Sequence, residues 1–326
     1  ALINGSLETV EIGDIAKKNT LKGTISWTAL QTRYFMTSLI PVKAQDALLR
    51  LSVLPRNIVE ARYEEPEVVL SPGTRQDFEH LLFFGPKSTD ALNRAGHELI
   101  RVLDFGTFHF LAKPLLWLMN WIYGVLPNYG VAIIVLTILT KVLLWPLGTK
   151  SYKSMSQMKK LQPLIQEIRQ KYKDDRKRMN EEVMRLHRTY NINPLGGCLP
   201  MILQIPVFFA LYRMLDSAIE LRHAHFLWWI NDLSAPDRLF NFDFSIPFME
   251  PPYGIPVLTL VMGATMFLQQ KMTPPAGDPT QAKMMMLMPV VFTFIFINFS
   301  SGLVLYWLIN NVLSIGQQYY TQKKFG

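Results

Sequence analysis

MMMLMPVVFTFIFINFSSGLVLYWLINNVLSIGQQYYTQ, residues 284–322, holds no Asp, Glu, Lys or Arg over 39 positions. About 20 mostly apolar residues in a helix cross the hydrocarbon core of a bilayer. The run is long enough for two crossings, and Asn298-Phe-Ser-Ser-Gly302 supplies a turn between them. Three further uncharged runs lie upstream, at 114–140, 189–212 and 251–270. The whole chain agrees with a membrane reading: of 326 residues 49% are hydrophobic and 18% charged, and the mean hydropathy is +0.15. This composition excludes a disordered chain, and the single cysteine, Cys198, excludes a disulfide scaffold.

The run 114–140 is broken by Pro114 and by Pro127-Asn-Tyr-Gly130. Residues 107–126 carry His109, Lys113 and Asn120 beside Trp117, Trp121 and Tyr123, the aromatics that favour a membrane surface. That segment is expected to lie in the interface. Five spans follow, at roughly 129–147, 195–214, 253–271, 284–299 and 303–320. Pro200 and Pro206 predict kinks in the second span, which Gly196-Gly197 opens.

Charge fixes an orientation. Residues 1–104 carry a net −1, 148–190 a net +7 and 214–252 a net −4. With the first block outside, 148–190, Lys271, Lys283 and Lys323-Lys324 all fall inside, and 214–252 and the Ser-Ser-Gly turn fall outside, as the positive-inside rule requires. The expectation is a multi-pass protein of the bacterial inner membrane with a periplasmic N-terminal domain and a cytoplasmic C-terminus. Export of 1–104 requires a segment upstream of Ala1.

The chain divides into a β-rich domain over 1–104, an interfacial helix over 105–127 and a membrane core over 128–326 that includes a cytoplasmic hairpin at 148–192. In the first block, short apolar stretches at 23–27, 47–53, 67–70 and 79–84 predict strands of a partial β-sandwich. Ser88 or Thr89 caps a helix over 90–102 with Leu92, Ala95, Leu99 and Val102 on one face. In 150–173, Tyr152, Met155, Met158, Leu161, Ile165, Ile168 and Tyr172 recur every three or four residues, and Met179, Val183, Leu186 and Tyr190 repeat likewise after the turn at Asp174-Asp175. Two amphipathic helices can bury these stripes against each other. Their outer faces are basic and include Lys159, Lys160 and Arg169. Those faces either attract anionic lipids or the backbone of ribosomal RNA, or are solvated faces that fix topology. No DNA partner is expected.

Lys141 sits inside the first span, with Thr137 one turn before it on the same face. A cation at a helix centre costs about 2.5–3.5 kcal/mol on insertion scales. Lys141 either snorkels toward the inner surface, about 9 Å away, or faces a wet interior cavity. Other spans supply polar groups for the second reading: Gln204, Thr293, Asn310 and Asn311, with Tyr306 and Trp307 beside the last two. Each taken singly is equally a hydrogen bond between helices. Met284-Met285-Met286 and Met288 offer an adaptable apolar surface or ordinary lipid contact. Cys198 has no partner at ligand spacing and reads as a packing residue. There is no phosphate loop, zinc signature or catalytic triad, and neither a cofactor nor a metal is expected. No carboxylate lies deep in a span, which argues against a proton-coupled transporter, and no Gly-rich filter suggests a channel.

NPLGGCLPMILQIPVFFALY (193–212) resembles the YidC family of membrane protein insertases. So do LQPLIQEIR (161–169), FLQQKM (267–272) with Asp278-Pro279, Met288-Pro289 and SGLVLYW (301–307), in matching order. WTALQTRYF (27–35) and Gly85-Pro-Lys87 are similar to the periplasmic domain of Gram-negative members. The resemblance implies five core helices around a hydrophilic groove, open to cytoplasm and lipid and sealed on the periplasmic side. The groove's basic residue is usually Arg; here that position is Lys141, which lacks the planar five-donor fork. Thr137, Gln204 and Trp307 fall on groove positions, 150–190 on the cytoplasmic hairpin and Asp278 on the second cytoplasmic loop. Relative to that pattern the chain lacks the N-terminal anchor helix, part of the periplasmic domain and a longer basic tail. The implied activity is non-enzymatic insertion and folding of nascent membrane proteins, with the Sec translocon and the ribosome as partners. A chaperone acting only beside the translocon, or a channel or transporter, is the alternative.

Overall fold

The computed structural model describes residues 1–190, 199–273 and 279–325. The chain forms two compact units, Ala1–Asp104 with Ser217–Ile219, and Phe105–Asp216 with Glu220–Gly326.

The first unit is built on one long strand. β1 (Leu2–Ile3), β2 (Ser6–Leu7), β3 (Thr20–Gln31), β4 (Phe35–Pro41), β5 (Gln45–Leu54), β6 (Ile58–Glu64) and β7 (His80–Pro86) pair antiparallel throughout. The first half of β3 pairs with β5 from Thr20 opposite Arg50 to Ile25 opposite Gln45, and its last four residues pair with β4. β7 extends the β4 side and β6 the β5 side. At Gly23 (φ +151°) the backbone leaves room for Ile3 and Asn4, because an added Cβ would stand 2.7 Å from both side chains. Strand alternation sends Ala47 and Leu49 inward and Arg50 outward. One core gathers Leu2, Trp27, Met36, Ile40, Leu92, Leu99 and Val102; a second gathers Ile3, Leu21, Ile25, Ala47 and Leu49. The unit is mostly strands, as expected.

Two local expectations fail here, and some strands go unanticipated. Residues 67–70 form no strand, and Val69 is almost fully exposed. Pro66 and Pro72-Gly73 flank that stretch, and it gains no strand partner. The helix expected over 90–102 stops after α1 (Thr89–Ala95), where Gly96 (φ +73°), His97 (φ +50°) and Glu98 (φ +57°) turn the backbone left-handed, before a short 3-10 turn at Leu99–Val102. Leu92, Leu99 and Val102 are nonetheless all buried, and Ser88 caps α1 by accepting from Ala91 N at 3.2 Å. β4 and β6 were not foreseen at all.

The second unit is helical: α2 (His109–Val125), α3 (Tyr129–Lys171), α4 (Arg176–Thr189), α5 (Leu199–Ser217), α6 (Val257–Met272), α7 (Pro279–Phe296) and α8 (Ser301–Phe325), with a small hairpin of β8 (Leu239–Phe242) and β9 (Tyr253–Ile255). α2 buries Ala112, Leu116, Met119 and Ile122 at helical spacing and exposes Trp117 and Trp121. Asn128 caps α3, accepting from Val131 N at 3.1 Å. α3 crosses residue 148, where the span is expected to give way to the hairpin, without a break. α3 runs on through Pro146 and Pro163 for 43 residues, about 65 Å at 1.5 Å per residue. Asp175 caps α4, which packs back on α3. α8 packs on both α3 and α6, α6 also on α7, and α2 on α3. By length and composition, α3 is the one helix among the described residues long and apolar enough to cross a membrane, at a mean hydropathy of 2.2. Helices also cover most of the described parts of the other four expected spans, but 253–255 is strand β9 and α7 ends at Phe296, short of the expected 299.

Candidate functional site: a polar seam in the helical unit

The seam starts on α8. Its first turns bury apolar side chains, Leu303, Val304 and Leu305, with Tyr306. From Asn311 onward the buried positions become polar: Asn311, Ser314, Gln317, Gln318 and Thr321. Steps of three and four residues put them on one face, the face that meets α3 and α6.

Lys141 enters this seam from α3. Its Nζ donates to Ser314 Oγ at 2.6 Å and reaches Asn310 Oδ1 at 3.5 Å, while Ser314 Oγ donates to the carbonyl of Asn310 at 2.6 Å. Among the described residues no carboxylate pairs with Lys141. The Tyr152 hydroxyl is hydrogen-bonded to Ser314 and to Gln269 of α6, which joins three helices through one hydroxyl cluster. A cation held only by neutral groups keeps most of its charge uncompensated and attracts an anionic group.

The expected site residues divide between several settings. Lys141 and Asn310 meet. Thr137 is buried, but its hydroxyl donates to Ile133 O of its own helix at 2.6 Å. Asn311 points to α6, donating to Thr265 Oγ1 at 3.3 Å. Gln204 and the buried Tyr306 share a hydrogen bond. Trp307 sits in an aromatic cluster, edge-on to Phe208 (ring centroids 4.8 Å apart) and Phe296 (5.0 Å), and stacked on Phe292 (6.2 Å). Thr293 turns its hydroxyl to Pro289 O at 2.7 Å. Lys159 and Lys160 are exposed on α3, and Arg169 is half-buried. Gly196, Gly197, Cys198 and Asp278 lie outside the described residues. Met284, Met286 and Met288 are exposed on α7.

Ser314, Gln269, Gln317 and Gln318 were not singled out from the sequence, and Tyr152 was read only as part of the hairpin's apolar stripe. The signal was present: polar residues at 310–311, 314, 317–318 and 321 repeat with helical period inside the longest uncharged run. Gln317 ties α8 to α3, its Nε2 donating to Trp145 O at 2.9 Å and to Thr149 Oγ1 at 3.3 Å. Gly148 makes room for that amide. The amide of Gln318 is buried with neither atom hydrogen-bonded. Among the described residues no group of His, Cys, Asp and Glu could hold a metal ion.

At the other end of the bundle, Asp237 accepts from Trp229 Nε1 at 2.6 Å, from Leu258 N at 2.5 Å and from Thr259 N at 3.4 Å, capping α6. Burial pushes its carboxyl above the usual aspartate range, against the lowering effect of these hydrogen bonds and of Arg238. Arg238 donates to Ile297 O at 2.8 Å, Pro252 O at 2.9 Å and Asn298 Oδ1 at 3.3 Å, and so ties the 220–256 segment to the α7–α8 turn.

Comparison with known proteins agrees with this architecture. The family model described as 60Kd inner membrane protein matches residues 121–326, and the YidC periplasmic domain model matches residues 2–118. A membrane protein insertase YidC of Syntrophobacter fumaroxidans is 50% identical over 99% of this chain and 58% of its own length. One of Pelobacter propionicus is 48% identical over 98% of this chain and 58% of its own length. The chain thus spans less than two thirds of these relatives. The crystal structure of an active YidC insertase with its first transmembrane domain resolved shares the fold, with a TM-score of 0.53 at 20% identity over 92% of this chain and 79% of that one. With the inner-membrane model matching well over half of the residues and the periplasmic model most of the rest, the chain belongs to the YidC family of inner-membrane proteins that carry a periplasmic domain.

Proposed function

We propose that the chain is a membrane protein insertase and folding chaperone in which the Lys141 seam is a hydrophilic groove for the polar segment of a nascent membrane protein. The observation that carries this reading is the Lys141 ammonium inside the helical unit, held by Ser314 and Asn310 with no carboxylate partner among the described residues. On this reading α3, α5, α6, α7 and α8 are five spans, with 1–104 periplasmic, the α3–α4 hairpin and the C-terminus cytoplasmic, and α2 in the interface. The exposed surfaces of α3, α6 and α7 are apolar, including Val142, Leu143, Leu260, Leu268, Met284 and Phe294, which supports contact with lipid.

An acidic N-terminal segment of the substrate pairs with Lys141, and its apolar helix lies along the greasy flank of α5 and α7. The polar segment then has a shorter dry distance to cross, and the membrane potential contributes about 2.3 kcal/mol per charge per 100 mV. No bond is made or broken, so the activity is not enzymatic. The partners are nascent membrane proteins, the Sec translocon, the ribosome and anionic lipids, the last two at the basic face of the hairpin.

The test is insertion of a short single-spanning protein with an acidic N-tail into vesicles containing the purified chain. Lys141→Arg retains insertion, and Lys141→Ala slows it roughly tenfold, the loss of about 1.4 kcal/mol. Equal insertion by native, Arg and Ala forms removes Lys141 from the mechanism.

A further inference from the structure

The 220–256 segment is fastened to one end of the helical unit. Asn128 Nδ2 donates to Phe226 O at 3.1 Å, Ser301 N to Ala235 O at 2.8 Å and Gly302 N to Leu233 O at 2.9 Å, and Asp237 and Arg238 add the bonds described above. These contacts fix it where α3, α6 and α8 begin and α7 ends. Phe226, Ile230, Leu233 and Met249 face that frame, yet four other large apolar side chains point away from it. Trp228 is 81% exposed, Phe240 67%, Phe244 64% and Phe248 84%, with Leu227 and Ile255 beside them in the sequence pattern.

The backbone is arranged to hold them outward. Trp228 (φ +53°), Phe240 (φ +59°) and Phe248 (φ +65°) all adopt the left-handed region, which bulky residues rarely occupy. Each is held there by its surroundings. Phe226 N bonds to Ile230 O across Trp228 at 2.9 Å, Phe240 lies in β8 against Gly254, and Asn298 Nδ2 donates to Phe248 O at 3.0 Å. Strain of this kind persists where the neighbouring structure over-determines it. The turns bury the neighbours Phe226, Ile230 and Met249, while Trp228, Phe240 and Phe248 themselves stay uncovered by the chain.

We propose that these aromatics anchor the segment in the glycerol–carbonyl layer of the outer leaflet. Three observations choose lipid as the occupant. The segment adjoins the start of α6, whose outer surface is apolar from Leu260 onward. Trp favours this depth, and Phe lies beside it on the apolar face of segments that rest in the interface. Residues 214–252 carry a net −4, so the match is to a zwitterionic surface and not to anionic headgroups. The inference rests on the membrane-core reading above, and the anchor fixes how deep the sealed end of the bundle sits.

The experiment is spin-label accessibility on the full chain in phosphatidylethanolamine–phosphatidylcholine vesicles, with Cys198 changed to Ser. Labels are placed singly at Trp228→Cys, Phe240→Cys and Phe248→Cys, with Phe294→Cys on α7 and Lys17→Cys on the strand unit as references. The expected result is an oxygen-to-nickel-chelate collision ratio at the three loop positions that matches Phe294 and lies severalfold above Lys17. Loop labels that behave like Lys17 while Phe294 reports lipid place the segment in water and overturn the anchor. Loop labels shielded from both reagents mean a protein surface covers them, which also overturns it. An aqueous signal at Phe294 defeats the membrane-core reading and the anchor with it.

Discussion

The strand unit and the helical unit both bury apolar side chains, but the helical unit encloses far more polarity. In the strand unit the interior is apolar, with Ile25, Trp27, Leu49, Leu92 and Leu99 buried, and Ser38 and Thr28 are the polar residues enclosed with them. Ion pairs such as Lys18–Glu8, Arg50–Glu64 and Arg75–Asp77 lie on its surface. In the helical unit the enclosed residues include Thr137, Asp237, Thr259, Asn311, Ser314, Gln317, Gln318 and Thr321, while Val142, Leu143, Leu260, Met284, Leu287 and Phe294 are exposed. Water drives apolar groups inward at about 25 cal/mol per Å². Lipid exerts no such force, so helix association depends on close packing and on hydrogen bonds between buried polar groups. Under the membrane-core reading proposed above, the polar interior of the helical unit records a second solvent along one chain.

The largest expected effect tests the polar part of the helical unit's interior at its best-satisfied carboxylate. Asp237→Ala strands Trp229 Nε1 and the first amides of α6, and is expected to cost about 3 kcal/mol, read as a lowered Tm in detergent. Asp237→Asn keeps an acceptor and recovers most of the loss. The same pair gives a pH signature. The folded carboxyl titrates above the ordinary value of 3.8, so the folded state holds its proton to higher pH than the unfolded chain. Stability from this group therefore falls as pH rises through the interval just above 3.8 and is level beyond it, a feature that Asp237→Asn abolishes. A stability difference between native and Asp237→Asn that stays constant across that interval would contradict the burial argument.

A smaller effect is expected at the α3–α8 tie. An alanine Cβ at Gly148 would stand 2.7 Å from the Gln317 amide and displace it from Trp145 O. Gly148→Ala and Gln317→Ala each cost about 1 kcal/mol, and because they remove one interaction the double variant costs little more than either alone. Full additivity in thermal unfolding would show that the amide does not link the helices.

The smallest effect belongs to the strand unit. Arg50→Ala breaks an exposed pair with Glu64 and is expected to change stability by less than about 0.5 kcal/mol, with the difference fading in high salt. A loss as large as that at Asp237 would mean that the strand surface, too, faces something other than water.

Legibility followed the range of the interactions involved. Uncharged runs located the helices of the second unit because hydropathy is a property of each segment alone. The alternation at 47–53 located β5 for the same reason. Strands β4 and β6 escaped because their pairing with β7 and β5 decides them, and Glu67–Leu70 was misread because its local β-propensity found no partner. The helix over 90–102 failed at Gly96, where a left-handed turn keeps Leu99 and Val102 on the core without continuing the helix. At the site, Lys141 was conspicuous as a charge in an apolar segment. Its partner Ser314 was not, since a serine 173 positions away carries no local mark.

By itself, then, the amino-acid sequence determined which stretches avoid water, where charge gathers and which single cation lies among apolar neighbours, because transfer free energy is read residue by residue. Only the tertiary structure decided that α3 continues unbroken past Pro146, that Lys141 meets Ser314 and Asn310 and not Thr137 or Asn311, and that Asp237 and Arg238 fasten the end of the bundle. These depend on hydrogen bonds of 2.5–3.5 Å between residues far apart in the chain, and such distances exist only once the helices have packed.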